Sequence, residues 1–203
     1  TACKSEKNWP TGLYVGGNLG MSKTNIRQYD IDQAYALGNI NANSIDIDAT
    51  DWSYGANLGY QINQYFAVQL EYIDFGERLV KFSGTTLADD LVAFYAAAET
   101  VYPETAQGPQ ISIVVSLPLS NSTKVFAKAG YLDWEQKYKT TDPVLKGFDR
   151  TSGQDVPMSI GVRYLFRKDI VFNLGVETVK LNQHRVNNVY AGIQYFPFAD
   201  NQP

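Results

Sequence analysis

The chain has few of the residues that most often carry redox chemistry, catalysis or metal binding. Cys3 is the one cysteine among 203 residues, so no internal disulfide can form, and His184 is the one histidine. The formal net charge of −4 and the pI of about 5.0 argue against a nucleic-acid partner. Thr1-Ala2-Cys3 is similar to the end of a lipoprotein signal, but processing there would remove Thr1 and Ala2. We therefore expect Cys3 to be an unmodified residue of a flexible N-terminal segment.

Catalytic motifs are missing as well. The sequence contains no His-x-Ser pattern, no phosphate-binding glycine loop, no Cys-x-x-Cys pair and no metal cluster. Catalysis by a hydrolase needs a nucleophile and a positioned base, and His184 is expected in a loop. We predict that the protein is not an enzyme and has no cofactor or metal. A lipid-modifying enzyme is a distant third possibility after the two functions given below.

Long hydrophobic runs are absent too. No apolar run approaches the ~20 residues of a membrane-spanning helix, and the mean hydropathy is −0.26. Hydropathy alone would therefore indicate a soluble protein. These properties do not exclude a membrane β-barrel, because the alternating strands of a barrel average to near neutrality.

Strict alternation is what the sequence does have. In WSYGANLGYQI, residues 52–62, every second residue is apolar or aromatic, and the residues between are small or polar. This period of two predicts a strand with two unlike faces. Seven further segments alternate in the same way, at about 13–21, 66–72, 111–117, 125–131, 158–166, 170–177 and 188–195.

The spacing of the eight strands predicts their connectivity. Short turns follow the second, fourth and sixth strands, and longer connections span about 25–52, 78–109, 135–155 and, more briefly, 181–186. This layout is typical of an all-β fold, an eight-stranded antiparallel up-and-down transmembrane β-barrel, with short turns at one rim and long loops at the other.

Side-chain size indicates which face lies inside. The interior of an eight-stranded barrel is just wide enough to be filled by side chains, and the bulky faces carry no Lys, Arg, Asp or Glu. We therefore expect the bulky faces to meet lipid and the small, polar faces to line the interior. Aromatic residues beside the short turns and toward the long loops are expected to form two interfacial belts. The predicted lipid-facing residues include Leu58, Tyr60, Val68, Leu70, Ile160, Val162, Leu174 and Ile193.

Several segments resemble a known family. LYVGGNLGMS (13–22), GYQINQYF (59–66) and EYIDFG (71–76) are similar to the OmpA-like transmembrane domain of Gram-negative outer membranes, as are GVRY (161–164) and AGIQYF (191–196). The resemblance implies an outer-membrane location, contact with lipid and lipopolysaccharide, and an aromatic C-terminal signal read by the barrel assembly machinery. We expect a stand-alone barrel over 11–198, with a periplasmic segment at 1–10 and a tail at 199–203.

Charged residues fall on the predicted inner face, two of each sign. Buried charges persist when they are paired and hydrogen-bonded, so we predict a polar interior network that holds the barrel closed. A narrow channel for ions or small solutes is the alternative. The predicted network comprises Glu71, Lys128, Arg163, Glu177, Gln69 and Asn173.

The predicted loops suggest two further features. Residues 86–102 change to helical spacing, which predicts a short helix in the second long loop. Its apolar stripe would cover the barrel mouth or bind a protein partner. Asp46, Asp48 and Asp51 could supply oxygens to calcium, although a solvated acidic loop is the simpler explanation of this spacing. The stripe consists of Leu87, Leu91, Phe94 and Val101.

Taken together, the sequence predicts an outer-membrane barrel with a structural or surface-interaction role. It would anchor in the membrane or recognise a partner through its extracellular loops. The competing function is the narrow channel.

Overall fold

The predicted barrel is confirmed. In the computed structural model, eight long barrel strands, called staves below, close into an antiparallel up-and-down β-barrel. Within the described part of the chain, no helix is long and apolar enough to span a bilayer. The structure describes residues 9–25, 42–47, 50–76, 80–84, 106–137, 150–181 and 184–199.

The strands are numbered here in chain order, and some staves are longer than the alternating segments indicated. Three strands, β2, β5 and β8, lie in stretches expected to be loops. The strands are β1 (Gly12–Thr24), β2 (Ala42–Ile47), β3 (Thr50–Gln61), β4 (Phe66–Asp74), β5 (Val80–Gly84), β6 (Gln107–Pro118), β7 (Thr123–Lys137), β8 (Arg150–Asp155), β9 (Met158–Arg167), β10 (Ile170–Leu181) and β11 (His184–Tyr195).

Hydrogen bonding runs around the whole ring. The order of the staves is β1, β3, β4, β6, β7, β9, β10 and β11, and β11 pairs with β1 to close the barrel. The first and last strands are paired from Val15↔Tyr195 to Thr24↔Val186. Because the ring has no free edge, the backbone groups of the staves pair within the sheet, as a strand that crosses a bilayer requires.

The short turns are built by side chains that bond to the backbone. Asn63 Oδ1 accepts hydrogen bonds from the N–H groups of Tyr65 (2.8 Å) and Phe66 (3.0 Å). Ser120 Oγ accepts one from the N–H of Thr123 (3.1 Å) in the next short turn. Asn and Ser stabilise tight turns in this way, so the turns predicted at these positions have a local cause.

One stave is interrupted by a proline. β8 and β9 pair with β7 in a single register, because Leu132↔Asp155 and Ala129↔Met158 continue the same ladder. Pro157 lies between the two strands and has no N–H to donate, which breaks the regular ladder at that point. Its carbonyl still accepts a hydrogen bond from Gly130 N (3.2 Å). The predicted connection at 135–155 is therefore partly strand.

Three other predicted connections are corrected in the same way. β2 and β5 pair with each other within the expected loops 25–52 and 78–109. The expected connection at 181–186 is mostly strand, since Lys180 pairs with Arg185 and Leu181 with His184. Its outward residues are polar, and this polarity had suggested a loop. His184 accordingly begins β11 instead of lying in a loop.

Every predicted lipid-facing side chain lies on the outer surface of the barrel. Their exposed fractions range from 40% at Val68 to 68% at Ile160. Both predicted aromatic groups are exposed as well. The short-turn belt contains Tyr60, Phe66, Tyr164, Phe166, Tyr195 and Phe198, and the long-loop belt contains Trp52, Tyr54, Tyr72 and Tyr131.

The interior is less uniformly polar than the sequence suggested. A buried apolar cluster that includes Tyr14, Leu165 and Phe196 lies toward the short-turn end, with Trp9 against it. A second cluster, which includes Leu132 and Trp134, lies toward the long-loop end. Buried polar and charged side chains occupy the interior as well.

Inward glycines make room for large inward side chains. A Cβ built on Gly59 would collide with the ring of Tyr14 on the neighbouring strand. A Cβ on Gly175 would lie 2.8 Å from Cζ of Tyr190, closer than real contacts allow. Glycine on the inner face of this barrel therefore supplies space, which explains its frequency in the segment 52–62.

Replacing Leu70 by Lys should destabilise the folded barrel by about 2–4 kcal/mol, because it places a charge on the lipid-facing surface between the two belts. The matched control is Leu119→Lys, at an exposed position in a short turn, which should cost about 0–1 kcal/mol. Denaturant unfolding in vesicles would measure both. Equal losses would contradict the assignment of the outer face.

Gly59→Ala should destabilise the barrel by about 1–3 kcal/mol, because the added methyl group overpacks the interior against Tyr14. Gly17→Ala is the control, since a Cβ there would have its nearest neighbour, Gly55 O, at an ordinary 3.5 Å. The free energy of unfolding of the control should stay within about 0.5 kcal/mol of the parent chain. An unchanged free energy of unfolding in Gly59→Ala would show that the interior beside Tyr14 has room for an added methyl group.

Candidate functional site

Three charged side chains from three staves meet inside the barrel. Lys128 on β7 places its Nζ 2.9 Å from Glu71 Oε2 on β4 and 2.7 Å from Glu177 Oε2 on β10. All three residues are at most 5% exposed. We call this group the interior triad; it contains two carboxylates and one ammonium, so its formal charge is −1.

Neutral side chains add hydrogen bonds to the triad. Asn18 Nδ2 donates to Glu71 Oε1 (2.5 Å), and Gln69 Nε2 donates to Glu71 Oε2 (3.0 Å). Gln110 Nε2 lies 3.4 Å from Glu177 Oε2 as a longer donor. Buried ion pairs recover their desolvation cost only when such extra bonds are present. Glu71 has them on both oxygens, whereas Glu177 Oε1 is buried without a partner among the described residues.

Arg163 on β9 is held differently. Its guanidinium donates to Gln194 Oε1 (2.5 Å), Gln61 Oε1 (3.0 Å) and Ser116 Oγ (3.4 Å). Among the described residues, the partners of the guanidinium are two amide oxygens and a hydroxyl, and none is a carboxylate. The positive charge of Arg163 is opposite in sign to the net charge of the triad and lies in the same interior without direct contact.

Gln69 links the two charged groups. Its Oε1 accepts from Tyr14 Oη (3.0 Å) and lies 3.4 Å from Gln194 Nε2, while its Nε2 donates to the triad. Five of the six predicted network residues thus share one hydrogen-bonded system. Asn173, the sixth, lies beside Gly192, and its buried Oδ1 has no partner among the described residues.

Lys124 is an interior cation that the sequence analysis missed. It is 1% exposed, its Nζ donates to the Gln64 carbonyl (2.5 Å), and it lies 4.2 Å from the centroid of the Trp9 ring. The signal was present, because Lys124 is four residues from Lys128 and shares its face under a period of two. Its position beside a turn had hidden it.

Little free space remains around these groups. Two interior cavities have volumes of about 10 Å³ each, close to the minimum that one water molecule needs. All three triad residues line the first cavity, and Lys128 and Arg163 line the second. At this level the described side chains fill most of the interior.

Other predicted features remain outside this site. The apolar stripe Leu87, Leu91, Phe94 and Val101 and its helix lie outside the described residues, as does Asp48. Asp51 Oδ1 accepts a hydrogen bond from the Trp52 N–H (2.7 Å). Within the described part of the chain, no group of three His, Cys, Asp or Glu side chains is placed to hold a metal ion.

Comparisons with known proteins agree with this architecture. Neisserial surface protein A is 12% identical, with a TM-score of 0.57 over 91% of this chain and 97% of that one. The outer membrane protein OprG from Pseudomonas aeruginosa is 11% identical, with a TM-score of 0.54 over 93% and 97%. Ail, the attachment invasion locus protein of Yersinia pestis, is 10% identical, with a TM-score of 0.50 over 91% and 98%. At these identities the likeness establishes the fold alone.

The sequence comparison identifies the family. A comparison with curated proteins found no match. The family model of the OmpA-like transmembrane domain, however, matches residues 10–195, which include all eight staves. The chain therefore belongs to the OmpA-like transmembrane domain family of bacterial outer-membrane β-barrels.

Proposed function

We propose that this barrel is a membrane anchor for surface interactions, with a lumen plugged by its own side chains. The observation that carries the proposal is the interior triad, in which β4, β7 and β10 are joined across the lumen by one shared Lys128. A solute would have to displace this buried ion group to pass. Breaking such a group leaves a buried charge unpaired, which is strongly unfavourable.

The apolar clusters support the same proposal. One lies toward each end of the barrel, so a conducting path would have to cross low-polarity layers as well as the triad. Ions are costly to desolvate in such layers. The two cavities beside the triad and Arg163 have volumes of about 10 Å³ each, close to the minimum for one water molecule.

We further propose the orientation and the partners of the barrel. The short turns face the periplasm in a Gram-negative envelope, and the long connections face outward. Lipopolysaccharide surrounds the outer rim, and the extracellular loops bind a protein partner. During biogenesis the assembly machinery binds the last strand, whose end carries the aromatic residues Tyr195, Phe196 and Phe198. The role is non-enzymatic.

A narrow channel is the second candidate, because one observation favours it. Charged groups and cavities of water size follow one another along the lumen, from Glu177 past Lys128 to Arg163. A rearrangement of these side chains would open a hydrated path. The triad would then act as a filter for small ions.

Single-channel recording of the refolded chain in a planar bilayer separates the two functions. The plugged anchor predicts no openings from protein whose folding is verified by the faster migration of unboiled samples on a detergent gel. A large open porin serves as the positive control for insertion. Steady openings whose size changes in Lys128→Gln would overturn the plug and establish the channel.

The cohesion of the triad can be tested by its stability. Lys128→Met should destabilise the barrel by about 3–5 kcal/mol, because it leaves Glu71 and Glu177 buried without their shared cation. Combining it with Glu71→Leu and Glu177→Leu should restore most of that loss, since an apolar group can replace a buried ion group. Lys168→Met in an exposed turn is the control. A tolerated Lys128→Met alone would contradict a tightly held triad.

A further inference from the structure

We propose that Lys23, Lys180 and Arg185 form a cationic patch on the outer face that binds the phosphate groups of an outer-leaflet glycolipid of the lipopolysaccharide type. This inference deepens the proposed membrane anchor and rests on its orientation. It assigns the contact with lipopolysaccharide to particular side chains at one side of the barrel.

The three residues lie on three adjacent staves. Lys180 on β10 pairs directly with Arg185 on β11, and Lys23 on β1 pairs with Asn187, two residues along β11. All three are exposed, and they continue the outward-facing rows of their strands. Opposed residues on one face of a sheet have Cβ atoms about 4.5–5.5 Å apart, so the charged ends can converge on one small anion.

This arrangement is unfavourable without a counter-ion. Like charges directly opposite each other in a sheet destabilise it, and Lys180 and Arg185 are such a pair. Among the described residues, none of the three cations forms an ion pair. The two residues that connect β10 to β11, Asn182 and Gln183, carry no charge. An anion from outside the chain would relieve the repulsion.

The height of the patch corresponds to the lipid head groups. Met21, Trp52 and Val189 are exposed, apolar or aromatic, and joined side by side by the ladders of β1 with β3 and β11. Lys23 follows Met21 by two residues, about 7 Å along the strand, and Arg185 lies four residues, about 14 Å, beyond Val189. The polar interface adds roughly 5–8 Å to each side of the hydrocarbon core, and long side chains reach back to it.

The described charges at the long-loop end differ around the barrel. On the staves across from the patch, Asp74 of β4 and Asp133 of β7 lie on the outer face, and the ladder of β7 with β8 pairs Lys137 with Arg150. Asp74 also accepts a hydrogen bond from Tyr54 Oη (2.7 Å). The patch on β1, β10 and β11 is distinguished by three exposed cations whose ladder partners are not acidic, which favours a seated anion there.

Phosphate is the anion that this chemistry favours. Arg presents a planar fork that matches phosphate oxygens, and Lys adds a mobile point charge. Each basic residue beside an anionic membrane surface contributes about 1 kcal/mol to the free energy of binding. Each of the three cations should therefore strengthen binding of the lipid about fivefold.

The test titrates labelled lipid A into phosphatidylcholine vesicles that contain the folded barrel and follows energy transfer from the protein's tryptophans. The triple variant Lys23→Gln, Lys180→Gln, Arg185→Gln should need roughly 100-fold more bisphosphorylated lipid A for half-saturation, or about fivefold per charge. Dephosphorylated lipid A should show no difference between the variant and the parent chain. In vesicles without lipid A, relief of repulsion should raise the unfolding midpoint of the variant.

The control is Arg167→Gln with Lys168→Gln, which removes two exposed cations at the short-turn rim and should leave half-saturation unchanged. Parent-like half-saturation by the triple variant, an equal loss in the control, or indifference to phosphorylation would each overturn the patch. If the triple variant fails to insert, Lys180→Gln with Arg185→Gln supplies the same test. None of these readouts depends on conductance, so failure here leaves the plugged anchor intact.

Discussion

Backbone hydrogen bonding in the absence of water is the constraint on which the rest of this structure depends. Inside a bilayer, an unpaired N–H or C=O group costs several kcal/mol, so the sheet must close. Closure is achieved by the pairing of β11 with β1. Once the ring is closed, a period of two assigns every side chain to lipid or to the lumen. The exposed Leu58 and the buried Asn57 next to it show how sharply that assignment changes between neighbouring residues.

Crowding in the lumen follows from closure with only eight staves. The interior must hold large side chains such as Tyr14 and Tyr190, and it can do so only because Gly59 and Gly175 lie beneath their rings. The same narrowness brings Glu71, Lys128 and Glu177 from separate staves to within ion-pair distance. The charged interior is therefore a result of the barrel geometry as well as of the inward residues themselves.

Much of this arrangement could be predicted from the sequence, because alternation is a local property. The alternating pattern predicted the strands and the inward orientation of the charged residues. Asn63 and Ser120 indicated the short turns. The partners of the charged residues could not be predicted. That Lys128 serves two carboxylates while Arg163 is held by neutral groups depends on stagger and closure across the barrel, which no local pattern records. Lys124 was missed because a charge beside a turn is usually solvated.

The strand extensions at the long-loop end were missed for a related reason. Between the aromatic belts the outward side chains are apolar, but along β10 and β11 this polarity then reverses. Thr178, Lys180 and Arg185 face outward there, and Val179, Leu181 and Val186 are buried inside. This is the pattern of a water-soluble barrel, with a second apolar cluster as its core.

The reversal of polarity locates the membrane surface on the molecule itself. Below it, the outer face must match hydrocarbon and the lumen can be polar. Above it, the outer face meets charged head groups and water, and the lumen must supply its own apolar core. From the sequence pattern alone, this reversal of side-chain polarity indicates the end of a strand. The backbone ladder between β10 and β11 nevertheless continues through it. The cations of β1, β10 and β11 lie where that reversal occurs, at the end of the apolar band whose outer face must match acyl chains.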